Sequence, residues 1–485
     1  MRFFAALETI CIYSNTAMVT TITCQEVKTC FNISIKLLCT VMIIGRINVK
    51  FNWAGINQAS LGEEMFLVYN SFMNSTLELL KTRGFFQQCT DAEALSKLMD
   101  DGPVTFYEGT DPTGGSLHIG HMVPYFAFRH LRDAGHNGVA LLGGGTARIG
   151  DPSGKSEIRK MLTYEQLDEN TESIRTQLDK FVGFDGKTAF TVNNKDWLAN
   201  LNYIDFLRDI GKHFSVNRML SFEAYKMRME TGLSFIEFNY QLLQSFDFLE
   251  LYRRHGCRLQ IGGDDQWGNI VAGVELIRRV EGAEVFGLTF PLVTTADGKK
   301  MGKTEKGALF LDPAKTSPYD FFQYWRNVQD EDILRFLLMF TFLPADECNN
   351  LCGAGKNPNE AKERLAWEVT AIIHGKEEAD KALSGAKAAF GGAGDKSAMP
   401  CAEISRSRFE AGYNVVELFV DTGLQSTRSE ARRLVDQGGA FVSDKSGELS
   451  AEKNHAALIG SDRLNSDGEI ILRAGKKRYL LVVTK

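Results

Sequence analysis

The chain has 485 residues, of which 44% are hydrophobic and 24% charged, and its formal net charge is -6. This length exceeds what one hydrophobic core usually holds, so we expect two or three domains of ordinary globular composition. The negative charge excludes a uniformly basic coat for nucleic acid, although local basic patches are enough to hold a folded RNA.

Residues 1–72 do not read as a domain. Their apolar segment 31–44 is interrupted by Lys36 and is shorter than the roughly 20 residues that a membrane-spanning helix needs. Acidic residues are rare in the first 50 positions, a balance compatible with an organellar targeting peptide. We expect either such a peptide or a translation start at Met73, and no membrane span and no function for residues 1–72.

Cysteine spacing does not indicate a metal site. Cys348 and Cys352 are four apart, but neither a second pair nor a nearby histidine completes a ligand set. We therefore expect no bound metal, and free thiols in a reducing compartment such as the cytoplasm, or an organellar matrix if residues 1–72 are a targeting peptide.

The stretch Val104–His121 predicts a strand, a tight loop and the start of a helix. Val104 to Tyr107 has the character of a buried strand, residues 111–115 break it, and Ser116 can cap a helix beginning near Leu117. The N-terminus of such a helix presents free N–H groups and a positive dipole at the strand ends. An anion site is predicted there.

His118 and His121 stand three residues apart, so on a helix they project on one face, beside this anion site. Gly120 between them leaves the backbone open to a flat ligand. Taken alone, the pair could equally be zinc ligands or polar surface.

A second glycine loop follows the apolar strand 138–142. The order strand, helix, strand predicts a parallel, right-handed crossover, and ligands in such sheets bind at the carboxyl ends of the strands. Asp151 follows this loop and could bind a cationic group, although an Asp-Pro is also an ordinary turn. Residues 150–156 lack the spacing of a phosphate-binding P-loop, and residues 143–148 fail the dinucleotide fingerprint.

Two later stretches carry polar side chains in a pattern. Tyr240, Gln244 and Asp247 share one face of the predicted helix 235–252, where a polar stripe is either solvent-facing or lines a polar pocket. The loop 297–307 carries Lys300 and Lys303 between glycines, so that it could reach phosphates or form an exposed basic hairpin.

These motifs together resemble one family. His118-Ile-Gly-His121 is similar to the HIGH signature of class I aminoacyl-tRNA synthetases, and residues 107–113 resemble its tyrosyl-tRNA synthetase version. Residues 150–154, 240–247 and 262–269 recur in the order and spacing of that family, and residues 300–304 stand where it has its KMSKS loop. The resemblance extends from about residue 76 to residue 485.

The resemblance implies a role for each site residue. The residues implied in catalysis are His118, His121, Lys300, Lys303 and Thr304. The substrate tyrosine would be bound by Tyr107 and Asp247 at its hydroxyl, by Asp151, Tyr240 and Gln244 at its amino group, and by Gln266 at its carboxylate. ATP would be bound by Asp111, Thr113, His118, Gly120, His121, Asp265, Lys300 and Lys303. Asp264 stands where the family more often has serine, and we assign it no role.

The resemblance also implies the domain organisation of an α/β protein. A Rossmann-like parallel-sheet catalytic domain, with an insertion that forms a dimer, would span residues 73–310. A helical domain that contacts the anticodon would span residues 311–390, followed by a linker at 391–410. Residues 411–485 would form a small α+β RNA-binding domain, in which Arg428, Arg432 and Arg433 contact tRNA phosphates without reading sequence.

The implied activity is that of a tyrosine–tRNA ligase. Tyrosine and ATP would give tyrosyl adenylate, and tRNA(Tyr) would then accept the tyrosyl group, with Mg²⁺ accompanying ATP and no prosthetic group. Three alternatives stay open: a tryptophanyl enzyme, a nucleotidyltransferase with an HxGH helix, and a non-catalytic RNA-binding paralogue. The first would lack the Tyr107 and Asp247 pair, the second would lack residues 300–304 and the tail, and the third would have lost an active-site residue.

Overall fold

The structure is a computed structural model. It describes residues 73–153, 162–296, 307–389, 399–475 and 478–485, with Gly298, Met301 and the backbone of Lys303 and Thr304. Residues 75–485 form one compact unit, and the predictions made for residues 1–72 and Lys300 lie outside the described residues. Within the described part of the chain, no helix is long and apolar enough to cross a membrane.

The region predicted to be catalytic alternates strands and helices. Its strands are β1 (Gln88–Cys89), β2 (Thr105–Thr110), β3 (Asn137–Leu142), β4 (Ala189–Asn193), β5 (Leu259–Gly263) and β6 (Phe286–Phe290). Its longer helices are α1 (Ser75–Thr82), α2 (Ala92–Asp101), α3 (Ile119–Asp133), α4 (Tyr164–Val182), α9 (Phe235–His255) and α10 (Trp267–Glu281). Short helices between β4 and α9 are α5 (Lys195–Leu198), α6 (Tyr203–Asp209), α7 (Val216–Leu220) and α8 (Glu223–Thr231).

The six strands form one sheet in the order β1-β6-β5-β2-β3-β4. All neighbours are parallel except β1, which runs antiparallel to β6. The chain moves outward from β2 through β3 to β4, and outward from β5 to β6 on the other side. The loops that follow β2 and β5 therefore diverge, and such a switch point is where open α/β sheets bind their ligands.

The two faces of β2 are covered by different helices. Phe106 packs edge-on against Phe128 of α3, with ring centroids 4.8 Å apart. Tyr107 points the other way and lies 5.2 Å from Phe248 of α9. Because side chains alternate along a strand, one face of the site is built on α3 and the other on α9.

Beyond the sheet, the hairpin strands β7 (Lys303–Thr304) and β8 (Gly307–Ala308) lead into a helical region. Its helices are α11 (Pro318–Arg326), α12 (Ile333–Phe340), α13 (Ala345–Leu351), α14 (Pro358–His374) and α15 (Lys376–Ala389). Arg83, which is 5% exposed, donates to the carbonyls of Leu338, Thr341 and Leu343 and so binds the end of α12 to the catalytic region. These carbonyls have no partner within the helix, so the buried guanidinium satisfies them.

The C-terminal region has its own core beneath a five-stranded sheet in the order β12-β11-β14-β15-β9. Its strands are β9 (Cys401–Ile404), β10 (Tyr413–Asn414), β11 (Ala440–Ser443), β12 (Leu449–Glu452), β13 (Leu458–Ile459), β14 (Glu469–Ala474) and β15 (Arg478–Thr484). Its helices are α16 (Arg406–Glu410), α17 (Val415–Asp421) and α18 (Arg428–Asp436). Strand β9 falls inside the segment 391–410 that we expected to be a linker, yet it pairs in parallel with β15.

Candidate active site

The site lies at the carboxyl edge of the sheet, where polar residues follow four of the parallel strands. Asp111 follows β2, Thr146 follows the end of β3, Asn194 follows β4, and Asp265 and Gln266 follow β5. Because the ends of parallel strands meet at one edge, residues far apart in the chain come together here.

The deepest part of the site holds a buried phenol and a buried carboxyl group. Asp247 of α9 is 2% exposed and accepts hydrogen bonds from Asn194 Nδ2 at 2.9 Å and Trp197 Nε1 at 2.7 Å. Tyr107 is 1% exposed, and its hydroxyl has no hydrogen-bond partner among the described residues. A buried hydroxyl without a partner is costly, so this atom is suited to bonding a polar group of a ligand.

Burial dominates the ionisation of these groups. It raises the pKa of Asp247 to about 8, against the hydrogen bonds from Asn194 and Trp197, which act to lower it. Burial, followed by the nearby Asp247 carboxyl group, raises the pKa of Tyr107 well above its usual value. A carboxyl group in this state can share a hydrogen bond with a neutral phenol without leaving an unpaired charge.

A chain of hydrogen bonds runs from this deep end to the mouth of the site. Asn194 Nδ2 also donates to Thr146 Oγ1 at 2.9 Å, and Thr146 Oγ1 donates to Asp111 Oδ1 at 2.7 Å. The hydroxyl of Tyr240 donates to the other Asp111 oxygen at 2.9 Å. The hydroxyl of Tyr240 is thus bonded to Asp111, whereas the resemblance had grouped Tyr240 with Asp151.

A second group of polar side chains joins α9, α10 and the loop after β5. Gln266 Nε2 donates to Asp151 Oδ2 at 2.7 Å. Asn269 Nδ2 donates to Gln244 Oε1 at 2.9 Å and to Gln266 Oε1 at 3.2 Å. Asp151, Gln244 and Gln266, which the sequence assigned to one substrate, therefore lie together.

The glycines of the loop after β3 permit this close packing. A Cβ atom at Gly143 would lie 2.0 Å from Asp111 Oδ1 and 2.6 Å from Thr146 Oγ1. No other residue could occupy this position without moving the Asp111 carboxyl group.

The histidine pair stands at the start of α3, as the motif predicts. His118 occupies the N-cap position with extended backbone, and its ring stacks on that of His121 with centroids 3.7 Å apart and an interplanar angle of 17°. The backbone N–H of His118 donates to His121 Nδ1 at 3.3 Å. The prediction that Ser116 caps this helix is wrong, because its hydroxyl donates to the Leu117 carbonyl instead.

His118 is half-buried and His121 exposed. Burial lowers the pKa of His118, so its ring is mainly neutral at pH 7. A Cβ atom at Gly120 would lie 3.0 Å from the His118 ring, which explains the glycine between the histidines. Thr113 is also exposed.

The segment after β8 joins the loop 297–307, which we call the basic loop, to the start of α3. Ile119 N donates to the Leu309 carbonyl at 3.0 Å, and Leu311 N donates to the Leu117 carbonyl at 2.9 Å. Of the predicted loop residues, Lys303 and Thr304 lie in β7 and are described by their backbone. The C-terminal end of the loop is therefore bound to the histidine helix.

Two further carboxyl groups adjoin the site. Glu108 of β2 is 6% exposed on the α3 side, accepts a hydrogen bond from Thr110 Oγ1 at 3.1 Å, and has its pKa raised by burial to about 7. Asp264 accepts from Gln88 Nε2 at 2.8 Å and from Thr289 Oγ1 at 2.9 Å, so it joins the end of β5 to its neighbour β6 and to the edge strand β1. The structure thus assigns Asp264 a role that sequence reasoning lacked.

The three tail arginines differ in their surroundings. Arg428 donates to Glu417 Oε1 at 3.0 Å. Arg432 and Arg433 are exposed on α18 and form no ion pair with the described residues. These two are the more available of the predicted phosphate contacts.

Sequence reasoning missed Asn194, Trp197, Thr146 and Asn269. A signal was present for the first of these, since Asn194 directly follows a strand at the carboxyl edge, where ligand-binding side chains gather. Among the described residues, no group of three or more histidine, cysteine, aspartate or glutamate side chains could hold a metal ion. The described cysteines are free thiols, as expected.

The fold and the site define the catalytic domain of a class I tRNA synthetase, and the chain belongs to that family. The family model described as tRNA synthetases class I (W and Y) matches residues 99–391. The chain is 63% identical to a tyrosine–tRNA ligase of Treponema denticola over 411 residues, covering 85% of this chain and 100% of that protein. It is 60% identical to the corresponding ligase of Treponema pallidum, covering 85% of this chain and 99% of that protein.

Within the family, these relatives place the chain with the bacterial tyrosyl-tRNA synthetases. A solved structure of a C-terminally truncated mitochondrial tyrosyl-tRNA synthetase of Aspergillus nidulans is also similar. It has a TM-score of 0.59 and 30% sequence identity, and the match covers 65% of this chain and 94% of that chain. The predicted fold class, a Rossmann-like α/β catalytic domain, is confirmed.

Proposed function

We propose that this protein is a tyrosine–tRNA ligase, which activates L-tyrosine with ATP and transfers it to the terminal ribose of tRNA(Tyr). The observation that carries the proposal is the buried pair of Tyr107 and Asp247 at the end of the site. A pocket that offers polar groups to a hydroxyl rejects the analogue lacking it, because those groups are then left unpaired. Phenylalanine is that analogue for tyrosine.

The rest of the pocket suits the amino-acid backbone of the substrate. Asp151 would supply a carboxylate for its ammonium group, and Tyr240 and Gln244 would line the same side. Gln266, which follows β5, would orient its carboxylate toward ATP.

The first step needs no covalent nucleophile from the protein. The substrate carboxylate attacks the α-phosphorus of ATP, the bond to the β-phosphate oxygen breaks, and pyrophosphate leaves. His118, His121, Lys300 and Lys303 would bind phosphate oxygens more strongly as charge shifts toward the pyrophosphate, with Thr304 beside them. Mg²⁺ would enter with ATP as part of the substrate, and Asp265, Thr113 and Gly120 would hold the nucleoside side.

The second step requires tRNA, for which the C-terminal region is the proposed binding domain. Its separate core and the exposed Arg432 and Arg433 on α18 support this assignment. Arginines on one helical turn bind phosphates through charge and without sequence readout. The helical region 311–389 would contact the anticodon.

A homodimer is supported by exposed apolar side chains in the insertion between β4 and α9 and at the first residue of α9. Ile204 is 68% exposed, Val216 55%, Met227 57% and Phe235 69%. Exposed apolar groups gathered on one segment mark interaction surfaces. We propose a second copy as the partner and the cytoplasm as the compartment, where free thiols such as those described here persist.

The decisive experiment is exchange of labelled pyrophosphate into ATP in the presence of each of the twenty amino acids, using protein that begins at Met73. We expect exchange with tyrosine alone. Exchange with tryptophan would contradict the roles of Tyr107 and Asp247, and no exchange from folded protein would indicate the RNA-binding paralogue.

A truncated variant ending at residue 389 separates the two steps. It should retain pyrophosphate exchange and lose most tRNA charging, because the deleted region has its own core. Equal loss in both assays would contradict a separate tRNA-binding role for the tail.

A further inference from the structure

The N-terminal end of the basic loop is held by a buried carboxylate from the helical region. Asp332 is 3% exposed and stands immediately before α12. Its Oδ2 atom accepts a hydrogen bond from the backbone N–H of Ala296 at 2.8 Å. Ala296 directly precedes the loop residues 297–306.

Arg335, one turn along α12, completes this contact. It binds Asp332 Oδ1 at 2.6 Å and donates to the carbonyl of Thr294. An aspartate at an N-cap position usually accepts hydrogen bonds from the first turn of its own helix, but Asp332 makes no such bond. One of its oxygens accepts from Ala296, and the other binds Arg335, which itself donates to Thr294. Both oxygens therefore stabilise the segment that enters the loop.

The C-terminal end of the loop is bonded to the start of α3. Leu309 and Leu311 bond to the segment that starts α3, as described above. Helix α12 itself packs on α3, where Phe340 meets Phe126 edge-on with centroids 5.4 Å apart. Helix α12 therefore connects the N-terminal end of the loop to the helix that carries His118 and His121.

We propose that Asp332 is a positioning residue for adenylate formation, which with Arg335 fixes the N-terminal end of the basic loop relative to the histidine pair. The proposal rests on the proposed function, in which the lysines of this loop bind ATP phosphates. Since a misplacement of about 1 Å can cost on the order of a hundredfold in rate, a carboxylate distant from the reacting atoms can control turnover.

The test compares Asp332→Ala, Asp332→Asn and the control Asp330→Ala in tyrosine-dependent pyrophosphate exchange. Asp330 lies in the same turn and pairs with Lys362 of α14. Asp332→Ala should lower kcat about tenfold or more, with the Kd for tyrosine unchanged within about twofold. Asp332→Asn keeps an acceptor for Ala296 and loses the ion pair with Arg335. Its kcat should therefore lie between that of Asp332→Ala and that of the control Asp330→Ala.

The proposal is overturned if Asp332→Ala has the kcat of Asp330→Ala, or if its tyrosine affinity falls in proportion to kcat. The thermal unfolding midpoint of each variant shows whether a lower kcat comes from a repositioned loop or from unfolding. A variant that loses kcat only because part of the protein is unfolded retains full activity per folded molecule. Absence of tyrosine-dependent exchange in the unaltered protein would instead refute the proposed function itself.

Discussion

The two ends of the active site are built differently. At the end proposed to bind tyrosine, Asp247 is 2% exposed and both of its oxygens accept hydrogen bonds from buried donors. At the end proposed to bind the nucleotide, His121 is exposed, His118 is half-buried, and the two rings stack on each other.

This difference agrees with the proposed ligands. A phenolic hydroxyl is neutral and differs from a hydrogen by one atom, so it is recognised only where water is excluded and unpaired groups are costly. Triphosphate is highly charged and attracts cations and helix N-termini at some distance, so its binding groups can remain accessible until it enters. The proposed function therefore places specificity in the buried end and charge stabilisation in the open end.

The largest effect should come from emptying the buried end. Asp247→Ala removes the carboxyl group and leaves the Asn194 and Trp197 donors unpaired. We expect kcat/KM for tyrosine to fall by about 10³-fold and selectivity over phenylalanine to collapse, with ATP affinity nearly unchanged.

Glu250→Ala, one turn further along α9, is the matched control, since Glu250 pairs with the surface residues Arg253 and Arg254. Steady-state kinetics with both amino acids measures the change. A variant that lost ATP binding but kept discrimination would contradict the assignment of Asp247.

The second largest effect should be the pH dependence of stability that the buried Glu108 causes. Burial raises the folded-state pKa of Glu108 to about 7, from the 4.5 that is ordinary for a glutamate. The unfolded chain therefore loses this proton first as pH rises, and the free energy of unfolding should fall between about pH 4.5 and pH 7. The full loss would be on the order of 3 kcal/mol.

Glu108→Gln keeps an acceptor for Thr110 and cannot ionise. Its free energy of unfolding in urea should fall less between pH 5 and pH 8 than that of the unaltered protein. Identical pH dependence in the two proteins would show that Glu108 does not ionise in this range.

Changing the open end should affect rate and spare tyrosine binding. His118→Ala removes a proposed phosphate-binding group from the start of α3, and we expect kcat for adenylate formation to fall about a hundredfold. The Kd for tyrosine, measured by equilibrium dialysis, should stay within about twofold. His213→Ala, in the insertion, serves as a control. If His118→Ala also lost tyrosine affinity, the proposed separation of roles between the two ends would be wrong.

The smallest effect concerns the chain of hydrogen bonds between the ends. Asn194→Ala removes a donor to both Asp247 and Thr146, and we expect about a tenfold loss in kcat/KM for tyrosine. Asn193→Ala is the control, since the neighbouring side chain accepts from the Lys195 backbone. Equal losses in both variants would indicate general damage to the loop after β4.

Local patterns alone determined much of this protein. The strand, loop and helix that present His118 and His121 follow from glycines, β-branched residues and short-range spacing, and the structure has them where predicted. The polar stripe of Tyr240, Gln244 and Asp247 follows from helical periodicity. Each of these patterns spans few residues, so the chain itself encodes it.

Tertiary structure decided which of these groups meet. Tyr240 bonds Asp111, 129 residues away, and Asp247 bonds Asn194 and Trp197, 53 and 50 residues away. Strand order brings such partners to one edge, and a single-sequence pattern does not encode strand order. The same holds for β9, which pairs with β15 although we expected a linker there. It also holds for Asp332, whose side chain accepts a hydrogen bond from Ala296 and not from its own helix.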